Sequence, residues 1–190
     1  MRYSEDHKAK THQRIIDEAA RLFRRDGVGA TGLQPLMKTL GLTHGGFYAH
    51  FKSKDELVET ALRHAAQQLD EVTSEVFASE APLPTFIARY LSPTHRADPG
   101  SGCPLPTMSA ELGQRGQASP ITDEVVKSRL AMIESGLQGE DAADQSMLML
   151  CALVGAMVLS RSVSDPELSD RLLQTTRRLL TEQAKAQPGE

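Results

Sequence analysis

Residues 31–54 read TGLQPLMKTLGLTHGGFYAHFKSK, and no other part of the chain carries as much structural information. Apolar residues recur there at three-to-four spacing and predict a short helix, for which Thr31 is a plausible cap. Gly41 ends this helix, and Thr43 then caps a second short helix, His44 to Phe51. Two short helices joined by a tight turn that contains glycine form the helix-turn-helix pattern.

The second helix of such a unit enters the major groove of DNA, and its first residues contact base edges. His44 is expected at the exposed start of this helix, while Tyr48 and His50 offer polar tips. Gly45 and Gly46 each lower helix stability by about 1 kcal/mol, which a purely structural helix would rarely accept. We therefore expect the two glycines to allow close approach to a duplex.

Three of these polar residues also have structural interpretations. Tyr48 could be a core residue with a bonded hydroxyl, and His50 a buried structural histidine. Lys54 follows Ser53, which opens a capping box, and could be a solvated lysine at a helix end. It could equally place its charge on a phosphate that binds the free amides of that helix. Taken together, the pattern favours DNA binding.

Charge is distributed unevenly along the 190-residue chain. The total of −4 argues against a nucleic-acid partner. Residues 1–54, however, hold ten basic and five acidic residues, so that this segment carries +5 and the remainder −9. A basic head on an acidic body is expected when one end of a protein contacts phosphate and the other does not.

The apolar pattern is helical throughout, with no strand-like alternation and no internal repeat, and it predicts an all-α protein of about nine helices. The first helix should run from Glu5 or His7 to Arg25, and residues 92–102 should form a loop. Later helices should begin near Ser53, Leu83, Pro104, Pro120, Asp141 and Pro166. We expect a DNA-binding domain over residues 1–54 and a ligand-binding and dimerisation domain over 55–190.

Several other classes of protein are not expected. The polar first ten residues do not resemble a signal peptide, and no apolar run approaches the roughly 20 residues of a membrane span. Cys103 and Cys151 lack metal-like spacing, so we expect no metal, no cofactor and a reduced, cytoplasmic setting. A thiol-dependent enzyme built on Cys103 and His95 is a weak alternative without a recognisable catalytic motif. A protein-binding adaptor would not explain the basic head.

Residues 15–57 closely resemble the DNA-binding domain of the tetracycline-repressor (TetR/AcrR) family. The resemblance lies in Arg14-Ile-Ile-Asp-Glu-Ala-Ala-Arg-Leu-Phe, in Gly27 and Thr31, and in residues 41–57, GLTHGGFYAHFKSKDEL. It implies a homodimer that binds a palindromic operator, and a pocket in the carboxyl-terminal helices for a small-molecule effector that releases the DNA. By family position, DNA-facing residues are Thr43, His44, Gly45 and Tyr48, and backbone contacts are Thr31, His50 and Lys54.

A dimer also follows from geometry, since paired recognition helices bind half-sites about 34–36 Å apart. Apolar stripes on the last two helices predict the interface, although both could fill the subunit's own core. They comprise Met147, Leu150, Cys151, Val154, Met157, Val158, Leu168, Leu172, Leu179 and Leu180. Ligand-binding candidates, each of which could instead be core or surface, are Phe86, Tyr90, His95, Cys103, Met108 and Arg161.

Cys103 precedes Pro104, and proline favours the first position of a helix. This order predicts Cys103 as the helix cap, where free amides and the helix dipole favour a thiolate. Such a thiol could sense oxidants or electrophiles, as some members of a family subgroup with a similar Gly-Cys opening do. The alternative is an inert buried cysteine, and Cys151 is expected to be a core residue.

Overall fold

The computed structural model describes residues 2–116 and 118–185, and in these two ranges it contains helices and no strand. The predicted all-α class with about nine helices is confirmed. The α-helices are α1 (Arg2–Asp26), α2 (Leu33–Thr39), α3 (Lys54–Phe77), α4 (Pro82–Tyr90), α5 (Pro93–Ala97), α6 (Ala110–Gln114), α7 (Pro120–Glu134), α8 (Ala142–Ser162) and α9 (Pro166–Lys185). Shorter helical segments are a 3-10 helix (His44–Ala49), a 3-10 turn (Pro99–Ser101) and a π-helix (Leu105–Ser109).

The chain forms two compact units. The first comprises the chain up to Gln68 together with Gly100–Ile121, and the second comprises Leu69–Pro99 together with the chain from Thr122 onward. Helices α3 and α7 each contribute residues to both units. A functional division at residue 54 stays a prediction.

The core of the first unit is built by helix α1 and the segments that pack on it. Ile15, Ala19 and Phe23 recur on one face of α1 and are fully buried, as the amphipathic spacing requires. This face packs against α2 and against the π-helix. Gly27 ends α1 with a φ of 88°, and its N–H donates to the Phe23 carbonyl over 3.1 Å. The helix begins at Arg2, earlier than predicted, so the polar residues that precede the amphipathic stretch are also helical.

The second unit is a helical bundle in which α9 packs on α8 and α4, and α5 packs on α8. Its apolar interior includes Leu83, Ile87, Ile133, Met149, Leu153, Met157 and Leu173. Small buried serines let α8 and α9 approach closely, since the Ser169 hydroxyl donates to the Ser160 carbonyl over 2.6 Å.

Two local predictions are wrong. Residues 92–102 are not a plain loop, because Ser92 caps α5 by accepting the His95 amide over 3.1 Å, and Pro93 fits the first helical position. Thr31 does not cap α2, whose cap position is Gly32. The Thr31 hydroxyl donates instead to the Gly27 carbonyl over 2.8 Å and so stabilises the turn before α2.

Helix α8 is long and apolar enough to cross a membrane by length and composition, with a mean hydropathy of 1.7 over 18 residues. The sequence pattern predicted no segment of this kind. A single helix of this kind is weak evidence for a membrane span, because a core helix of a bundle meets the same criterion. Met149, Leu153 and Met157 of α8 are buried in the second unit.

Candidate nucleic-acid interface

Helix α2 and the 3-10 helix pack against each other across a tight turn. Gly41 adopts a φ of 72°, a conformation that glycine reaches without steric cost. Its N–H donates to the Lys38 carbonyl over 3.0 Å, and the Leu42 N–H donates to the Met37 carbonyl over 2.9 Å. These bonds end α2 and turn the chain into the next helix, which gives the arrangement of a helix-turn-helix.

The second helix of this unit is a 3-10 helix and ends at Ala49, shorter than the predicted helix to Phe51. Thr43 caps it as predicted, since its hydroxyl oxygen accepts the Gly46 N–H over 3.2 Å. Gly45 and Gly46 weaken α-helix formation, and the tighter 3-10 geometry suits such a short segment.

Side chains of the 3-10 helix separate cleanly into a buried and an exposed set. Phe47 and Phe51 are buried and their rings stack with centroids 5.6 Å apart. Tyr48 is 61% exposed, which rules out the core interpretation of this residue. Four of the predicted DNA-facing residues therefore share one exposed face, the recognition surface, formed by Thr43, His44, Gly45 and Tyr48.

His50 lies at the end of the 3-10 helix and is half buried. Its ring lies 5.8 Å from that of His12, which itself stacks on Phe51 with centroids 4.6 Å apart. Burial, followed by the charges of His12 and Lys8, lowers the pKa of His50 below its usual value. Its Nδ1 is buried with no hydrogen-bond partner among the described residues. The structure thus gives His50 features of both interpretations offered by the sequence.

The two remaining predicted backbone contacts, Thr31 and Lys54, also make bonds within the protein. Thr31 is 6% exposed, and its hydroxyl is used in the turn after α1. The Nζ of Lys54 donates to the Val28 carbonyl over 2.6 Å, and burial lowers the pKa of this ammonium. Lys54 follows Ser53, whose hydroxyl accepts the Glu56 N–H over 3.1 Å as the predicted capping box requires.

The predicted ligand-binding residues fall into two groups. The first group lies in the second unit and consists of Phe86, Tyr90 and His95. The Tyr90 ring contacts both of the others, with its centroid 5.8 Å from that of Phe86 and 4.8 Å from that of His95. Cys103 and Met108 belong to the first unit, where both are buried. The aromatic cluster is therefore the part of the predicted site that the structure brings together.

His95 is held by polar contacts from two sides. Its Nδ1 lies 2.7 Å from the Tyr90 carbonyl oxygen, so Nδ1 carries the hydrogen of that bond. Arg161 donates to the carbonyls of His95 and Arg96 over 2.5 and 3.2 Å and so joins α8 to α5. Desolvation lowers the pKa of His95, with Arg161 acting in the same direction.

Cys103 does not occupy the cap position that the sequence predicted. The π-helix begins at Leu105 with Pro104 before it, so Cys103 precedes the cap by one residue. Its side chain is 2% exposed. The preceding Gly102 carbonyl accepts the buried Arg24 guanidinium over 3.2 Å. Cys151, in contrast, is exposed and is not the core residue that was predicted.

Exposed apolar side chains concentrate on α8 and α9. Of the predicted interface residues, those at the surface are Met147, Cys151, Leu168 and Leu179, and those half buried are Val154, Val158 and Leu172. Leu150, Met157 and Leu180 instead fill the subunit's own core, because they face the neighbouring helices of the bundle. Leu148 and Leu159 are exposed as well, although the sequence reasoning omitted them.

Two charged residues were missed because their partners are distant in sequence. Arg129 is 2% exposed and forms an ion pair with Asp70 over 2.5 Å. Glu111 accepts hydrogen bonds from the turn after α1. No local pattern in the sequence signals either contact. Among the described residues, no group of three or more His, Cys, Asp or Glu side chains could hold a metal ion.

The described residues are helical apart from turns and loops, and an exposed surface on a helix-turn-helix is the arrangement found in DNA-binding proteins of the helix-turn-helix class. Residues 15–61 match the model of a family described as bacterial regulatory proteins, tetR family. The HTH-type transcriptional regulator AcrR of Shigella flexneri is 33% identical over 82 residues, 43% of this chain and 38% of that protein. The HTH-type transcriptional repressor Rv1474c of Mycobacterium tuberculosis is 31% identical over 71 residues, 37% of this chain and 38% of that protein.

Fold similarity extends much further along the chain than sequence similarity. The crystal structure of Escherichia coli NemR in its reduced form matches with a TM-score of 0.73 at 19% identity, over 91% of this chain and 96% of that one. The two curated relatives are matched over less than half of their own length. Residues 15–61 of the chain are thus similar to the tetR family of bacterial regulatory proteins. The two relatives are named as regulators of transcription, and neither name describes an enzyme.

Proposed function

We propose that the protein is a ligand-responsive transcriptional repressor that binds a palindromic operator as a homodimer. The observation that carries this proposal is the recognition surface, on which Tyr48 and His44 are exposed beside the open backbone of Gly45. Polar and aromatic side chains next to an unobstructed backbone suit base edges and sugar-phosphate at close range. The similarity of residues 15–61 to the tetR family of bacterial regulatory proteins supports the same function.

Charge supports the assignment of DNA binding to residues 1–54. This segment carries +5 while the remainder carries −9. Phosphate contacts release counterions from DNA, so binding by such a segment weakens as salt rises. Residues 55–190 are then left for effector binding and dimerisation.

The exposed apolar face of α8 and α9 supports a homodimer. Large apolar side chains on it are 41% to 61% exposed, and they are Met147, Leu148, Leu159, Leu168 and Leu179. A contiguous patch of exposed apolar residues on a protein commonly marks a site of protein–protein contact. We place the interface on this face and exclude the core residues Leu150, Met157 and Leu180.

The aromatic cluster of Phe86, Tyr90 and His95 supports an effector site in the second unit. These rings offer a mostly apolar lining with the polar edge of an imidazole, a composition typical of small-molecule sites. Cys103 and Met108 stay predicted contacts.

Binding to DNA taken from the flanks of the protein's own gene tests the function. We expect a discrete shifted complex at low salt, with an affinity that falls as salt rises. Absence of salt-sensitive binding to any duplex that covers those flanks would contradict the proposal. A duplex of equal length and scrambled sequence is the control for specific binding.

A thiol-sensing variant of this function rests on Cys103 alone. The reagent must reach a side chain that is 2% exposed, so we expect slow reaction with N-ethylmaleimide in the native protein. If N-ethylmaleimide releases DNA from wild type but not from Cys103→Ser, the result would support thiol sensing by Cys103. Cys151→Ser controls for the exposed thiol. Equal release from wild type and Cys103→Ser would rule it out.

A further inference from the structure

The carboxylate of Glu111 holds the turn that follows α1. Its Oε2 accepts the Val28 N–H over 2.5 Å, and its Oε1 accepts the Gly29 N–H over 2.6 Å. The two bonds join residues more than 80 positions apart in the chain. Hydrogen bonds to an ionised acceptor are among the stronger ones in proteins. We call this pair of contacts the carboxylate clamp.

Lys54 holds the same turn from the other side. Its Nζ donates to the Val28 carbonyl over 2.6 Å, so the peptide units around Val28 are bonded both to α6 and to the first residue of α3. An ammonium has three N–H donors, of which this bond uses one. The others stay available to a phosphate, and their direction depends on where the Val28 carbonyl lies.

Glycines bring the backbone of the turn against the carboxylate. A Cβ at Gly27 would lie 2.9 Å from Glu111 Oε2, and one at Gly29 would lie 2.6 Å from Glu111 Oε1 and would also contact Arg115. Both positions thus leave no room for a side chain while Glu111 stays in place. Gly29 lacks a positive φ, so alanine would fit its backbone conformation, and its methyl group would displace the Glu111 carboxylate together with the Arg115 guanidinium paired to it.

We propose that Glu111 is a positioning residue for DNA binding, because its clamp on Val28 and Gly29 sets the position from which Lys54 meets a DNA phosphate. This inference rests on the proposed function. According to this inference, Glu111 contributes to duplex affinity although it lies outside the helix-turn-helix. Any displacement of α6 away from the turn then loosens the phosphate contact without altering the recognition surface.

Two variants weaken the clamp from opposite sides. Glu111→Gln keeps the shape but leaves one oxygen acceptor for two amide donors, and Gly29→Ala displaces the carboxylate by steric contact. Arg115→Gln is the matched control, because it removes the ion pair to Glu111 and leaves both amide bonds in place. We expect the amide chemical shifts of Val28 and Gly29 to change in the two clamp variants and to remain close to the wild-type values in the control.

Duplex binding is measured on the flanking-gene fragment at several salt concentrations. We expect both clamp variants to bind about tenfold more weakly, the change caused by loss of one strong hydrogen bond. We also expect their salt dependence to flatten by about one phosphate contact, as for Lys54→Ala. Combining Lys54→Ala with Glu111→Gln should add little further loss, because both act on the same contact.

The outcomes separate the two hypotheses. A wild type that binds no duplex contradicts the proposed function and this inference with it. A wild type that binds, with clamp variants of equal affinity and unchanged salt dependence, overturns this inference alone. Fully additive losses from Lys54→Ala and Glu111→Gln also overturn it. If Glu111→Gln does not fold, Gly29→Ala provides the same comparisons.

Discussion

Phe47 and Tyr48 are neighbours in the chain but lie in opposite environments. Phe47 is fully buried, Tyr48 is 61% exposed, and their rings meet edge to face with centroids 5.2 Å apart. The buried ring fixes the backbone that presents the exposed ring. Under the proposed function, fold stability therefore depends on Phe47 and DNA contact on the adjacent Tyr48.

Tyr48→Ala should abolish most duplex binding while the midpoint of thermal unfolding stays nearly unchanged. Substitutions of exposed side chains usually alter stability by less than about 0.5 kcal/mol. Phe47→Ala serves as the contrasting variant, since loss of a buried Phe costs about 3–5 kcal/mol. Fluorescence anisotropy and circular dichroism measure the two effects, and equal duplex affinity for wild type and Tyr48→Ala would contradict the docking geometry.

Gly45→Ala should weaken duplex binding about tenfold without loss of stability. A Cβ at Gly45 meets no protein atom within 4 Å, so the fold accepts it, and alanine lowers the entropy of the unfolded chain. The methyl group instead occupies space next to the DNA. Anisotropy titration gives the affinity and urea unfolding gives the stability. A variant that binds as tightly as wild type would show that the duplex does not approach this backbone.

Leu148→Glu should convert the proposed dimer to monomers, since it places a charge on the exposed apolar face of α8. Val72→Glu is the matched control, because Val72 of α3 is 54% exposed and lies outside the proposed interface. Sedimentation velocity at several protein concentrations distinguishes the two species. The interface assignment fails if Leu148→Glu and wild type sediment alike.

Acidification should destabilise the second unit through His95. Its pKa is lowered in the folded chain, chiefly by desolvation, so the unfolded chain binds the proton more readily. The contribution of His95 to stability is therefore complete above its ordinary pKa of about 6.5 and is lost as pH falls below that value. Urea unfolding between pH 7.5 and 5.5 measures this loss. His95→Gln should show a smaller pH dependence than wild type, and an identical one would refute the assignment.

Local patterns predicted most of the fold because local forces set most of it. The period of Ile15, Ala19 and Phe23 predicts which face of α1 is buried, and Gly27 stops the helix through its own backbone preference. Thr43 and Ser53 cap helices through bonds to residues three positions ahead. Such contacts are encoded within a few residues of sequence.

Contacts between distant residues were not predictable in the same way. Thr31 resembled a helix cap, yet it lies one residue before the cap position Gly32, and its hydroxyl donates to the Gly27 carbonyl instead of accepting a helix N–H. Leu150 and Met157 fit an interface stripe, but α8 is apolar on more than one face, and periodicity alone does not tell the inner face from the outer. The bonds from Glu111 to Val28 and Gly29 depend on tertiary packing alone.

The separation of buried and exposed residues in the 3-10 helix has a consequence for evolution. His44 is exposed, and the ring contact recorded for it is with Tyr48, centroids 5.9 Å apart, rather than with the hydrophobic core. Under the proposed function, a substitution at position 44 can thus alter operator preference at little cost to folding. The core residue Phe47 has no such freedom. The 3-10 helix thus separates the position that can vary from the position that must stay apolar, one residue type free to change and the other fixed by the core.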